Sequence, residues 1–176
     1  MDIKKTANSF ANFTIKRIAE IFGLTVFCAG ALLLLALITY SPEDPNFIFP
    51  ENTKIDNILG FQGSFVSDVF FQSIGLVSYF FSFTLIITGI NIIRSKEFFL
   101  IIENIFFAII YSLLGTLFFA HFYSEAFTLY INGNGGFIGA YLNQTFLNSI
   151  ILINEVIFYY FLIISNIFLF LISINF

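Results

Sequence analysis

IFGLTVFCAGALLLLALITY, residues 21–40, carries no charge and, apart from two threonines and a closing tyrosine, is apolar or glycine throughout. An α-helix rises about 1.5 Å per residue, so a run of this length reaches about 30 Å, the thickness of the hydrocarbon core of a bilayer. Lys4, Lys5, Lys16 and Arg17 precede it, as they would a secretory leader. The run is longer than a leader's apolar region, and the following TYSPEDPNF has no small-x-small cleavage site. It therefore reads as a retained membrane span.

Three more runs of similar character follow, at about 74–93, 98–119 and 150–174. The composition agrees: 59% of the 176 residues are hydrophobic and 28 are Phe, while only 10% are charged, against about a quarter in soluble domains. Lipid offers the backbone no hydrogen-bond partner, so each run must be helical. The expected fold is an all-α integral membrane protein with four transmembrane helices arranged as two helical hairpins. Residues 1–20 form a cytoplasmic basic lead and 21–176 the four-span domain. Outer loops of about 41–73 and 120–149 hold short helices or turns.

Positive residues set the orientation. Four of the seven Lys and Arg precede the first span, Arg94 and Lys96 lie between the second and third, and Lys54 alone falls in an outer loop. That places both termini inside. The net charge of −4 has no basic patch, so direct nucleic-acid binding by counterion release is not expected. The single Cys28 excludes an internal disulfide and reads as a small buried hydrophobe. Phe27 before it is unlike a lipidation site.

All three prolines fall in the first outer loop, where Pro42 and Pro45 bracket Glu43 and Asp44 in turns just outside the bilayer. Downstream, Asn57, Gly60, Gly63, Ser64, Ser67 and Asp68 recur at spacings of three and four, a small-residue face suited to close helix packing. GFQGSFVSDVFFQSI (60–74) also aligns with GFIGAYLNQTFLNSI (136–150). Gly60, Phe61, Gly63, Phe70, Ser73 and Ile74 match Gly136, Phe137, Gly139, Phe146, Ser149 and Ile150. This is a short internal repeat, one copy before each inward-going span. The glycines at 133–139 thus have a counterpart unlike any nucleotide loop. Gly133, Gly135 and Gly139 lack the dinucleotide spacing, and no G-x-x-x-x-G-K-[ST] string occurs in the chain.

The run LLLLALITYSPEDPNF, with Tyr40, Ser41, Pro42, Asp44 and Pro45, is followed by N-x-x-G-x-x-G-[AS]-x-x-[AS]-D at Asn57, Gly60, Gly63, Ser64 and Asp68, and then by Gly75. Together with Gly135, Gly136 and Gly139 before the last span, these motifs resemble the N-terminal four-transmembrane region of FtsK/SpoIIIE-type bacterial DNA translocases, over essentially the whole chain. The resemblance implies a multi-pass protein of the bacterial inner membrane at the division septum. It implies septal targeting, self-association into a homo-oligomer and contacts with other cell-division membrane proteins. DNA would be engaged only indirectly, through a motor. The ATPase, its linker and the DNA-reading winged helix have no counterpart here, so no catalytic role carries over to any residue. On that reading the chain is a fragment, a split-gene product or a stand-alone anchor.

No cofactor, metal or catalytic residue is expected. Glu103 and Glu155 fall at opposite ends of spans three and four and are expected at the interfaces, with Arg94 or Lys96 as partner for Glu103. His121 is the only histidine and has no partner set for a metal or a triad. Tyr40, Tyr123, Tyr130 and Tyr141 are expected in an outer aromatic belt. Asp68 is expected to cap or pair at the outer surface, and Asn91, Asn154 and Asn166 to bond between helices. Two other readings compete. A small transporter or channel subunit finds support in the repeat, but the spans offer neither a charged pair nor a broken helix. A membrane-embedded enzyme would need converging catalytic groups.

Overall fold

The computed structural model describes residues 3–45, 54–124 and 132–176. Every regular element among them is helical: α1 (Ile3–Ile38), α2 (Gly60–Ile74), α3 (Ser78–Ser95), α4 (Leu100–Phe122), α5 (Gly136–Asn143), α6 (Phe146–Ile153) and α7 (Glu155–Ser173). A 3₁₀ turn at Gly75–Val77 joins α2 to α3. Four helical stretches are long and apolar enough to cross a membrane: Asn8–Ile38, Gly60–Ser95, Leu100–Phe122 and Glu155–Ser173.

Boundaries depart from the expected ones at local features. The basic lead is no separate segment, because α1 runs through it and spans 36 residues. Residues 74–77 do not open a uniform second span. Gly75 takes φ +58° and ψ −140°, a combination open to glycine alone, and the chain turns there between α2 and α3. The fourth run divides as well. Asn154 leaves the helical backbone conformation, with φ −156° and ψ 85°, and its side chain accepts a hydrogen bond from Ile157 N at 3.1 Å. This is the competition between a short polar side chain and the helix that ends one helix and caps the next. Residues 146–153 consequently form α6, and the span proper is the 19-residue α7. α5 and α6 meet at 71° across a two-residue break where Thr145 caps α6.

α1 packs lengthwise and antiparallel on α3. Gly23 lies against Gly89 and Ile93, Gly30 against Leu85 and Ile86, and the Leu37 carbonyl accepts from the Tyr79 hydroxyl at 3.2 Å. A Cβ on Gly89 would strike the backbone of Phe27, the close approach that small residues allow in membranes. The buried stripe of α1 is Ala19, Gly23, Val26, Gly30, Leu33 and Leu37, a heptad-like alternation of four and three. Cys28 falls off that stripe and is exposed. The expectation of a buried thiol is thereby corrected: position within an apolar run does not fix which helix face is covered. α7 packs on α4, and Leu117, Ile151 and Leu162 bring α4, α6 and α7 into one apolar cluster. Val77, Ala108 and Tyr111 form the centre between α3, α4 and α7.

Candidate functional site

The motif residues of the first loop converge on the end of α1. Ser41 to Asp44 closes a turn, with Asp44 N donating to Ser41 O at 3.2 Å and Pro42 at its second position, where a fixed φ favours the turn. The Asp44 side chain is 2% exposed. Its carboxylate accepts from Asp56 N at 2.8 Å and Asn57 N at 3.0 Å, across the loop. Asn57 in turn donates to Ala36 O at 2.9 Å and accepts from Leu59 N at 3.0 Å. Ala36 lies in the last turn of α1, where carbonyls have no partner within the helix, so Asn57 caps α1 from the turn that precedes α2. Gly63 must be glycine because the Asn57 side chain fills the place of a Cβ. Ser64 donates to Pro45 O at 3.0 Å. Tyr40 donates to the Asp68 carboxylate at 3.1 Å, and Asp68 is buried on α2. Asp68 thus has a tyrosine partner inside the packed loop rather than a cap or ion pair at the surface.

A second joint ties the two loops together. Gly60 and Gly136, the matched first residues of the repeat, take φ +66° and +63° and each opens a helix. Each closes a four-residue turn, Gly60 N on Asn57 O at 2.9 Å and Gly136 N on Gly133 O at 3.1 Å. Gly75 sits directly on Asn134 O and Gly136 N, and Leu76 N donates to Asn134 O at 2.9 Å. Asn134 is fully buried and its amide donates to Tyr123 O. Gly135 and Gly139 press against Thr116 O and Ala120 of α4. Beyond the shared opening the copies diverge, since α2 continues through Ile74 whereas α5 stops at Asn143.

A third polar set lies between α3, α4 and α7. The Thr84 hydroxyl meets those of Tyr111 and Ser173, both at 3.0 Å. Asn104 donates to Thr88 Oγ1 and to Asn175 Oδ1, both at 2.8 Å, and Asn91 donates to Ile174 O at 3.0 Å. Among the three asparagines singled out from sequence, Asn91 bonds between helices, but Asn154 and Asn166 bond within α7. A mid-helix asparagine can satisfy itself on its own preceding turn. Asn104 was missed. Its signal was register, since it shares the spacing of four and three with Ala108, Tyr111 and Gly115, all on the buried face of α4.

The remaining candidates are distributed. Lys96 pairs with Glu20 of α1 at 2.6 Å, as does Arg17. That corrects the expected pairing of Arg94 or Lys96 with Glu103: among the described residues neither pairs with it, and the α1–α3 packing brings Glu20 to Lys96 at the α3 terminus. Glu103 and Glu155 lie exposed in the first turns of α4 and α7. His121 Nδ1 contacts Asn143 Oδ1 at 3.1 Å, and the hydroxyls of Tyr123 and Tyr159 meet at 2.9 Å. Tyr141 is exposed on α5, and Tyr130 lies outside the described residues. Among the described residues no three His, Cys, Asp or Glu side chains are placed to share a metal ion. The motif residues build mechanical joints between helix ends, which is chemistry suited to holding a shape.

A family described as the 4TM region of DNA translocase FtsK/SpoIIIE matches residues 15–175. Two proteins called DNA translocase FtsK are similar to part of the chain. The one from Rhizobium meliloti is 31% identical over 78 residues, which cover 44% of this chain and 9% of that protein. The one from Caulobacter vibrioides is 35% identical over 79 residues, 45% of this chain and 10% of that protein. The chain therefore aligns with about a tenth of the length of these curated relatives. No solved structure matches it.

Proposed function

Because the chain belongs to the family of the 4TM region of DNA translocase FtsK/SpoIIIE, we propose that it is the membrane anchor of a cell-division DNA translocase. In this role it holds the assembly in the bacterial inner membrane, brings it to the division septum, and self-associates there alongside other division proteins. The observation that carries this reading is the extent of the family match, residues 15–175, which includes all four candidate spans in whole or in part. DNA is reached only through the motor of the assembled translocase.

Two features support an arrangement of two hairpins with both termini in the cytoplasm. α1 packs on α3 and α4 on α7. The Arg17–Glu20–Lys96 group joins the basic lead to the α3–α4 turn, which supports a common membrane face for these positive residues, as the positive-inside rule asks. A transporter or channel finds no support in the relatives, both of which are called DNA translocases.

The test is localisation in dividing cells. A fluorescent-protein fusion whose insertion is verified by protease protection should concentrate at mid-cell during constriction. A correctly inserted fusion spread evenly around the envelope at every stage of division removes the septal reading.

A further inference from the structure

The two copies of the repeat each present an exposed aromatic pair at the same two repeat positions. On α2, Phe61 and Phe65 stack with centroids 6.3 Å apart and planes at 29°. On α5, Phe137 and Tyr141 stack at 6.5 Å and 22°. Phe61 is 44% exposed, Phe137 63% and Tyr141 62%. Ile58 and Val69 extend the α2 ridge, and Phe146 and Ile153 continue the apolar surface onto α6. An outer-loop helix in water would turn such residues inward.

What meets these ridges follows from depth. α2 does not stand above the bundle. Its Gln62, Gly63 and Val66 share an apolar groove of about 360 Å³ with Ala29, Leu33 and Ala36 of α1, and Phe71 packs on Leu33 and Leu37. Those α1 residues belong to the last turns of the first span. α5 is placed likewise, with Gly135 and Gly139 seated on Thr116 and Ala120 of α4. α6 also lies alongside the spans, for Ile151 packs with Leu117 of α4 and with Leu162, two turns into α7. The turns of α1, α4 and α7 beside these elements belong to stretches long and apolar enough to cross a membrane, which makes hydrocarbon the solvent expected around them, and the ridges carry no charged side chain.

We propose that α2 and the bent α5–α6 pair are intramembrane elements, sunk into one leaflet, whose matched aromatic ridges bury against the acyl chains of bilayer phospholipid. Backbone at this depth stays satisfied because each element is helical and each break is bonded: Leu76 N to Asn134 O, Leu147 N to Thr145 Oγ1, Ile157 N to Asn154 Oδ1. The glycine turns at Gly75 and Gly136 are the joint that lets both elements lie beside the spans. This inference stands on the spans and the repeat, and is independent of septal function.

The chain contains no Trp, so a substituted Trp is a sole reporter. The full chain carrying Phe61→Trp or Phe137→Trp is reconstituted in phosphatidylcholine vesicles with bromine on the mid-acyl carbons. Val69→Trp and Tyr141→Trp serve as second reporters on the same ridges, and Ser124→Trp in the loop as a water-exposed reference. Circular dichroism selects the folded variants. The expected result is blue-shifted emission that loses most of its intensity to bromolipid and little to aqueous acrylamide, on both helices, with the reverse for Ser124→Trp. Emission quenched by acrylamide overturns the proposal, since the ridge then faces water. Blue-shifted emission that neither agent quenches also overturns it, since protein then covers the ridge; if dilution in lipid restores bromine quenching, that cover is a second copy.

Discussion

Replacing Gly75 and Gly60 by alanine isolates the contact that joins the two loops. Both glycines have positive φ, +58° and +66°; a Cβ in the left-handed region costs about 1–2 kcal/mol in backbone strain alone, and Gly75, whose ψ of −140° lies outside that region, bears no less. Their surroundings differ. Around Gly60 no atom lies within 4 Å of the added carbon, whereas at Gly75 it would land on the Asn134 carbonyl and against Gly136 N. Relief of that overlap costs about 1–3 kcal/mol, and it displaces the acceptor of Leu76 N, worth about 0.5–1.5 kcal/mol. Gly75→Ala should therefore lose about 3–6 kcal/mol, against about 1–2 for Gly60→Ala. The assay is equilibrium unfolding in mixed dodecylmaltoside and dodecyl sulfate micelles, followed by far-UV circular dichroism. Gly136→Ala, whose Cβ would meet Gly75 N and the Ser73 carbonyl at 2.7 Å, should fall with Gly75→Ala. Equal losses for Gly75→Ala and Gly60→Ala, within about 0.5 kcal/mol, would refute the idea that the two glycine turns meet.

Two further substitutions probe the other joints in the same titration. Asn57→Ala strips the cap from Ala36 O and the acceptor from Leu59 N at a buried position, and should cost about 1–3 kcal/mol; a change within error refutes the capping role. Tyr111→Phe removes the hydroxyl contact to Thr84 while Ser173 still meets that threonine. It should cost only about 0.6 kcal/mol, the average for bonds between membrane helices, and a loss several times larger shows that the α3–α4–α7 set is cooperative.

How far these joints were readable residue by residue differs by physical cause. The four apolar stretches were legible because the hydrocarbon core imposes length and polarity on each segment separately. The glycines were legible as a repeat, but their pairing was not, since the Gly75–Asn134 contact links positions 59 residues apart through the packing of α2 on α5. Asp44 read as a turn former; its role as acceptor for Asp56 and Asn57 depends on a loop folding back on itself. Cys28 and Asn104 were misjudged or missed for one reason, the rotation of a helix about its axis. In a helix apolar on every side, no hydrophobic periodicity distinguishes the face toward lipid from the face toward protein.

By itself, then, the sequence determined that the chain is helical with four stretches able to cross a membrane, and which family it resembles. These follow from segment composition and short motifs, which need no partner in space. Tertiary structure alone decided that α2 packs on the last turns of α1 and the α5–α6 pair on α4 and α7, that Asn57 caps α1, that Lys96 finds Glu20, and that Asn104 is buried. Each of these depends on which helix faces meet. In a bilayer that choice is made by close packing and by satisfying backbone groups at helix ends, and neither is written in the apolar pattern of any one segment.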